Sequence, residues 1–272
     1  MKLGLTLPSF VTEPDVAVEV ARAAEASGFD GVFVFDHLFR VAADGRHRPA
    51  LECISLLGRV AAATTRLDVG TLVARASLRP PASLAAAFET VSRVAPRRLV
   101  AGIGAGDSGS EPENEAYGVP APDPADRVAR LRRAVAVTRD RGFPVWAAGR
   151  WRRVRAVAAE AADGWNEWGT SVSTFQRHVA SVREGAARSP FTCSWGGLVV
   201  VGADDRRAAD RAHELHADPS AIVGGAERVA ARLGEYVAAG AGWVIAGAVD
   251  ARDADQAKRL GEQVLPRLRE SA

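Results

Sequence analysis

The segment GVFVFDHLF, residues 31–39, indicates the fold class most clearly. Its first five residues have no polar face, which is typical of a parallel strand that is covered on both sides. Asp36 and His37 then stand where the strand should end. Either these two residues cap a structural turn, or the strand delivers them to a functional site.

Seven other apolar segments have the same character, and segments with helical periodicity separate them. One of these, EPDVAVEVARAAEASG, follows Thr12 as a predicted N-cap and ends beside Gly28, a predicted C-terminal stop. Eight such units in 272 residues predict a (β/α)8 TIM barrel formed by one domain over residues 1–272. A doubly wound open sheet is the alternative, because alternation alone does not show closure. The predicted strands cover residues 2–7, 30–35, 67–73, 99–104, 144–148, 164–168, 197–201 and 243–249.

The composition excludes several classes of protein. Hydrophobic residues make up 47% and the net charge is only +2, so the chain is an ordinary globular one without the charge excess of a nucleic-acid-binding protein. No apolar run approaches the length of a membrane-spanning helix. Cys53 and Cys193 are too few and too distant to predict a disulfide framework, so we expect a reduced protein of the cytoplasm.

The barrel interpretation gives the strand ends a role, because active sites of such barrels lie at the C-terminal ends of the strands. One of Asp36 and His37 should face the cavity, and a histidine there can take or give a proton. The fourth strand ends in GIGAGDSGSE, where Gly104 and Gly106 would let a flat ligand approach the backbone and Asp107 follows. A tight turn is the other explanation of that segment.

The fifth strand leads into Gly149 and Arg150 at the start of a helix, an arrangement that favours an anion such as phosphate. We predict no metal site, because HELH at residues 213–216 lacks the spacing of a zinc motif and a third ligand. No G-x-S-x-G segment is present, which disfavours a hydrolase.

Taken in order, several segments resemble the bacterial-luciferase-like family of flavin- or F420-dependent oxidoreductases. The matching segments are KLGLTLP, SGFDGVFVFDHLF, VGTLVARASLRPPASLAAAFETVSRVAPRRLVAGIGAGD, FPVWAAG, AADGWNEW and AERVAARLGEYVAAGAGWVIAG. The resemblance covers nearly the whole chain and implies a cofactor ring bound at the barrel mouth.

The resemblance also implies roles for individual residues. A bulge with a non-proline cis peptide would support the ring at Leu72–Val73, and the neighbouring strand residues would contribute to the same site. His37 and Asp107 would be catalytic. The implied cofactor-binding residues are Asp36, Gly70, Thr71, Leu72, Val73, Gly104, Gly106, Ala148, Gly149, Arg150, Asn166 and Trp168.

The cofactor that we expect is coenzyme F420, with FMN as the alternative. Hydride would pass between F420 and a small organic substrate while His37 moves the accompanying proton. The alternatives are an FMN-dependent monooxygenase that uses reduced flavin and O2, and a non-catalytic flavin- or F420-binding protein. The expected partners are a small-molecule substrate, a flavin or F420 reductase and a second copy in a homodimer, with neither nucleic acid nor membrane.

Overall fold

The computed structural model describes residues 1–41, 45, 47–106, 108–119, 123–248, 250 and 252–270. The strands are β1 (Lys2–Thr6), β2 (Gly31–Val34), β3 (Phe39–Val41), β4 (His47–Pro49), β5 (Asp68–Thr71), β6 (Ala74–Arg75), β7 (Leu99–Gly104), β8 (Val145–Ala148), β9 (Gly164–Trp168), β10 (Thr192–Val201), β11 (Ile222–Gly224) and β12 (Trp243–Ala248). The helices are α1 (Pro14–Ala26), α2 (Cys53–Ala63), α3 (Pro81–Val94), α4 (Glu111–Ala116), α5 (Pro124–Arg139), α6 (Arg152–Ala161), α7 (Val172–Glu184), α8 (Asp205–Glu214), α9 (Ala226–Ala238), α10 (Ala254–Arg259) and α11 (Leu265–Glu270). A 3-10 turn precedes α4, and a π-helical turn joins α10 to α11.

Eight parallel strands close into a barrel. Their order around the barrel is β1, β2, β5, β7, β8, β9, β10 and β12, and β12 pairs with β1 to complete the ring. Helices surround these strands, so the predicted (β/α)8 barrel is confirmed and the open sheet is wrong. The antiparallel hairpin of β3 and β4 follows the end of β2 and stands outside the ring.

The strand boundaries follow the predictions closely, with β10 as the main exception. This strand begins at Thr192 rather than at residue 197. Gly196 and Gly197 therefore lie inside the strand and not at its start. A Cβ at Gly196 would lie 2.4 Å from the Trp168 ring, and one at Gly197 would lie 2.4 Å from the Trp195 ring. Glycine is therefore needed for packing within this strand.

The hydrophobic core has two layers that follow the alternation of side chains along each strand. In β2, Val32 and Val34 face the helices, while Phe33 faces the barrel axis. The ring centroids of Phe33 and Trp146 lie 5.9 Å apart, and those of Trp146 and Trp243 lie 5.8 Å apart. These rings fill the inside of the barrel. Buried inner residues of this cluster are Phe33, Leu72, Val100, Trp146, Trp243 and Ile245.

The first helix shows one local difference from the prediction. Glu13 is the N-cap of α1, and Thr12 does not cap it, because the Thr12 hydroxyl donates instead to the Glu13 carboxylate. Gly28 ends the segment with a φ of 87°, as its role as a C-terminal stop requires. Among the helices of the described chain, none has the length and apolar character needed to cross a membrane.

Candidate active site

A cavity of about 390 Å³ opens at the C-terminal ends of the barrel strands. Its volume falls within the range of about 300–1,000 Å³ that is usual for small-molecule sites. The ends of β2, β5, β7, β8 and β9 contribute to it, as the barrel interpretation requires. The lining residues are Phe35, Asp36, His37, Leu72, Val73, Arg75, Gly104, Ala105, Gly106, Ser110, Ala148, Gly149, Arg150, Trp151, Val154, Asn166 and Trp168.

A bulge between β5 and β6 forms one wall of the cavity. Gly70 pairs with Val100 and Ala74 pairs with Ile103, so three residues of the bulge oppose only two residues of β7. The Leu72–Val73 peptide is cis, which confirms the geometry that the family resemblance implied. Both residues of this peptide line the cavity.

Glycines in β7 make room for the bulge. A Cβ at Gly102 would lie 2.1 Å from the Thr71 carbonyl oxygen, and a Cβ at Gly104 would lie 2.3 Å from Cγ2 of Val73. The alternating glycines of this strand therefore have a structural cause, which is the close approach of the bulge, and Gly104 also lines the cavity.

His37 lies at the cavity wall and is held by a buried acid. Its Nδ1 lies 2.7 Å from Oε1 of Glu113, a carboxylate whose side chain is only 6% exposed. Oε2 of Glu113 accepts hydrogen bonds from the Leu38 amide at 2.7 Å and from Arg75 at 3.2 Å. Arg75 also donates to Asn114, while its Nε is buried without a hydrogen-bond partner among the described residues.

Asp36 has a different role from its neighbour. Its buried carboxylate accepts hydrogen bonds from the Arg75 amide at 2.8 Å and from the Arg79 guanidinium at 2.6 Å and 3.2 Å. Burial acts to lower the pKa of Arg79, but the hydrogen bonds and charges of Asp36 and Glu52 outweigh it and raise that pKa. Asp36 therefore ties the end of β2 to the segment after the bulge.

The N-terminus of α6 and the loop before it also line the cavity, through Gly149, Arg150, Trp151 and Val154. Gly149 has a φ of 145°, in the region that favours glycine, and the described chain places no side-chain cap on this helix at Trp151. Its first N–H groups and the helix dipole thus form a place for an anion, with Arg150 beside it. Trp165 lies behind this loop rather than in the cavity, and its Nε1 donates to the Gly149 carbonyl at 3.1 Å.

The half-buried Arg155 contacts the same loop. Arg155 donates to the carbonyl of Arg150, and its Nε has no hydrogen-bond partner among the described residues. Burial lowers the pKa of Arg155, and the charge of Glu167 opposes this shift. Glu167 is fully buried and lies 2.8 Å from Nδ1 of His178. The hydrogen bond from Arg155 thus fixes the backbone of the loop at Arg150.

Aromatic rings form the wall beside His37. The Phe10 ring centroid lies 5.4 Å from that of His37, and the Phe35 centroid lies 6.2 Å from that of Trp168. The Trp168 indole rests on bare backbone, because a Cβ at Gly196 or Gly247 would lie 2.4 Å or 2.8 Å from its ring. This aromatic wall gives the mouth a largely apolar side for a substrate.

The structure brings together most of the residues that sequence reasoning selected, but not all of them. Gly70 and Thr71 do not line the cavity: a Cβ at Gly70 would lie 2.6 Å from the Val100 carbonyl, and the buried Thr71 hydroxyl donates to Gly102. Both lie within the barrel wall. Asp107 lies outside the described residues, so its predicted role is not tested. Asn166 lines the cavity and donates to Ser194.

Sequence reasoning missed Arg75 and Glu113. Glu113 comes from the short helix α4, far from His37 in the chain, and Arg75 follows the bulge. The available signal was the acidic run SEPENEA, residues 110–116, after the glycines of β7. That run does not indicate which acid turns inwards.

Comparison with known proteins identifies the family. Residues 1–220 match the family described as luciferase-like monooxygenase. The chain belongs to the luciferase-like monooxygenase family. This match covers most of the barrel and agrees with the resemblance seen in the sequence.

Among curated relatives of this family member is an F420-dependent glucose-6-phosphate dehydrogenase of Beutenbergia cavernae. It is 38% identical over 138 residues, which is 50% of this chain and 40% of that protein, so the chain spans less than half of the relative's length in the match. A relative with the same name from Mycobacterium tuberculosis is 31% identical over 69% of this chain and 63% of its own length.

A solved structure of an F420-dependent secondary alcohol dehydrogenase with an F420-acetone adduct superposes with a TM-score of 0.81. It is 19% identical and covers 98% of each chain. At this identity, the superposition supports the barrel fold of the family member and nothing about its substrate.

Proposed function

We propose that this protein is an F420-dependent oxidoreductase that moves a hydride between F420 and a small organic substrate. The observation that carries the proposal is its sequence similarity to enzymes named as F420-dependent dehydrogenases. The cavity at the strand ends supports the proposal, because its size and position suit a cofactor ring with a substrate beside it.

The residues around the cavity fit such a cofactor. The bulge at Leu72–Val73 would support one face of the ring, and the small residues Gly104, Gly106 and Ala148 would allow it to approach the backbone. The opening of α6 would bind the phosphate through its free N–H groups and through Gly149 and Arg150, which the F420 phosphate and acidic tail would favour. Asn166 and Trp168 would flank the ring.

When it is bound, F420 supplies a two-electron hydride acceptor or donor. The chain's own residues would orient the substrate and move the proton that accompanies the hydride. His37 is the candidate for this step, because its ring lines the cavity and Glu113 holds the ring nitrogen Nδ1. Asp107 remains our second candidate acid.

The role of His37 predicts the behaviour of one variant. In His37→Ala, we expect kcat to fall by about 100-fold or more, because general acid–base catalysis contributes a factor of that order. The Kd for F420, measured by fluorescence titration, should stay within about twofold, since the α6 loop and the bulge are unchanged. His213→Ala, on the exposed face of α8, is the control and should behave as the unchanged protein. Full activity of His37→Ala would refute the assignment.

The choice of cofactor is tested by titrating the purified protein with F420 and with FMN. We expect F420 to bind at least about tenfold more tightly, which corresponds to about 1.4 kcal/mol. Tighter binding of FMN together with oxygen consumption would instead support a flavin monooxygenase. Tight F420 binding without turnover of any alcohol or carbonyl compound would support a binding protein.

We further propose that one domain over residues 1–272 acts as a homodimer in the cytoplasm, with a separate reductase that recycles the cofactor. The buried thiols of Cys53 and Cys193 support a reducing compartment. Light scattering during size-exclusion chromatography tests the dimer, and a monomer at micromolar concentration would contradict it.

A further inference from the structure

We propose that Glu113 is a positioning residue that holds the His37 imidazole in the Nδ1–H tautomer, so that the bare Nε2 exchanges the substrate's proton. This inference rests on the proposed oxidoreductase function, but the tautomer can be measured without cofactor. It assigns the partner of His37 to an acid that the sequence did not single out.

The hydrogen-bond geometry fixes the direction of the ring. Oε1 of Glu113 lies 2.7 Å from Nδ1 of His37, within the range of a strong charge-assisted hydrogen bond. An ionised carboxylate can only accept hydrogen bonds, so Nδ1 must carry the proton. Nε2 then lies on the opposite edge of the ring and has no hydrogen-bond partner among the described residues.

The groups around Glu113 are hydrogen-bond donors, as a carboxylate that only accepts requires. Arg75 lies 3.2 Å from Oε2, and the side chains of Arg75 and Glu113 are only 5% and 6% exposed. The Leu38 amide donates to the same oxygen at 2.7 Å. Because Arg75 already balances the charge of Glu113, the network is neutral when the His37 ring is neutral. Nε2 therefore has a lone pair that is ready to accept a proton.

This arrangement gives the proton a defined route in the oxidising direction. The substrate's O–H bond breaks and its proton goes to Nε2 of His37, while the C–H bond breaks and the hydride leaves for the cofactor with two electrons. The carbon–oxygen double bond forms in the product. In the reducing direction, the protonated Nε2 returns the proton to the carbonyl oxygen.

The first test measures the tautomer in the cofactor-free protein. Long-range ¹H–¹⁵N NMR distinguishes a protonated from a bare ring nitrogen in neutral histidine, and loss of the signal in His37→Gln assigns it. In the neutral ring, we expect a protonated Nδ1 and a bare Nε2. A protonated Nε2 in the unchanged protein would overturn the proposal.

The second test removes the carboxylate. In Glu113→Gln, we expect a mixture of the two tautomers and a fall in kcat of about 10- to 100-fold, a part of the roughly 100- to 10,000-fold that general acid–base catalysis contributes. KM and the Kd for F420 should change by less than about threefold. Unchanged kcat together with an unchanged tautomer would overturn the proposal.

Two further variants distinguish a loss of kcat through the wrong tautomer from a loss of kcat through unfolding. Glu113→Asp keeps the charge and should recover part of kcat, whereas Glu113→Gln with Arg75→Met removes both buried charges and should fold while kcat stays low. Glu115→Gln is the matched control on the exposed side of the same helix and should match the unchanged protein. If the protein fails to bind F420, the proposed function fails, while the tautomer result stands by itself.

Discussion

At Gly104, one added methyl group would disturb the wall of the cavity. A Cβ there would lie 2.3 Å from Cγ2 of Val73, a β-branched side chain with few alternative rotamers. In Gly104→Ala, we expect the free energy of unfolding to fall by about 1–3 kcal/mol, the usual cost of overpacking, and F420 binding to weaken because the bulge shifts. Urea denaturation and fluorescence titration measure these two effects.

Gly58→Ala is the matched control for that substitution. A Cβ at Gly58 meets no atom within 4 Å, and the residue lies within α2, where alanine is the better helix former. This variant should therefore stabilise the protein by about 0.5–1 kcal/mol. The same destabilisation in both variants would show that crowding at Val73 is not the cause.

Single residues also show how far sequence reasoning extends. The position of His37 at the cavity is predictable from the sequence. The residue follows an apolar strand, and the C-terminal ends of barrel strands all lie on the same side of the barrel. Glu113 and Arg75 were not predicted, because their approach depends on how α4 folds over the bulge. Asp36 lines the cavity, and the sequence did not indicate that its carboxylate also accepts hydrogen bonds from Arg79 and from the Arg75 amide.

At the scale of elements, one glutamate links the end of α1 to the start of β5. Oε1 of Glu25 accepts hydrogen bonds from the amides of Thr65, Arg66 and Leu67 at 2.8, 2.6 and 3.3 Å. Burial raises the pKa of Glu25, but these hydrogen bonds and the Arg66 charge outweigh it, so the pKa lies below its ordinary value. The ionised form is therefore favoured by folding.

This pKa shift predicts a pH-dependent stability. A carboxylate with a lowered folded pKa contributes stability above its unfolded pKa and loses it as the pH falls through the folded pKa. Because Glu25 is partly exposed to solvent and glutamine keeps an acceptor oxygen, Glu25→Gln should reduce the free energy of unfolding by only about 0.3–1 kcal/mol at neutral pH, and the difference should shrink below about pH 4. Urea denaturation at several pH values measures it, with the exposed Glu19→Gln of the same helix as control. A difference that grows in acid would contradict the assignment.

Elements differ in how well the sequence predicts them. The barrel strands were recognised because residues buried on both faces form continuous apolar runs. β3 and β4 were missed, because FRV and HRP are exposed apart from Phe39 and carry no such signal. The early part of β10 was missed because glycines usually weaken a strand, whereas here they accommodate two tryptophans.

For the whole molecule, the family match ends at residue 220, but the barrel does not. β12 pairs with β1 on one side and with β10 on the other. A chain of residues 1–220 would lack β12 and expose two unpaired edges together with much of the core. We expect this fragment to show no cooperative thermal unfolding by circular dichroism, and a sharp transition would contradict the view that β12 is needed for closure.

The support of Trp168 by Gly196 and Gly247 limits how the opening could be reshaped. The strands beneath the indole carry no side chains at these positions, so no substitution by a smaller residue there could widen the mouth. Shortening Trp168 itself would uncover bare backbone on β10 and β12 at once. On this side of the mouth, the room for a bulkier compound is therefore set by the Trp168 ring, which makes this residue a natural starting point for engineering a broader range of reactants.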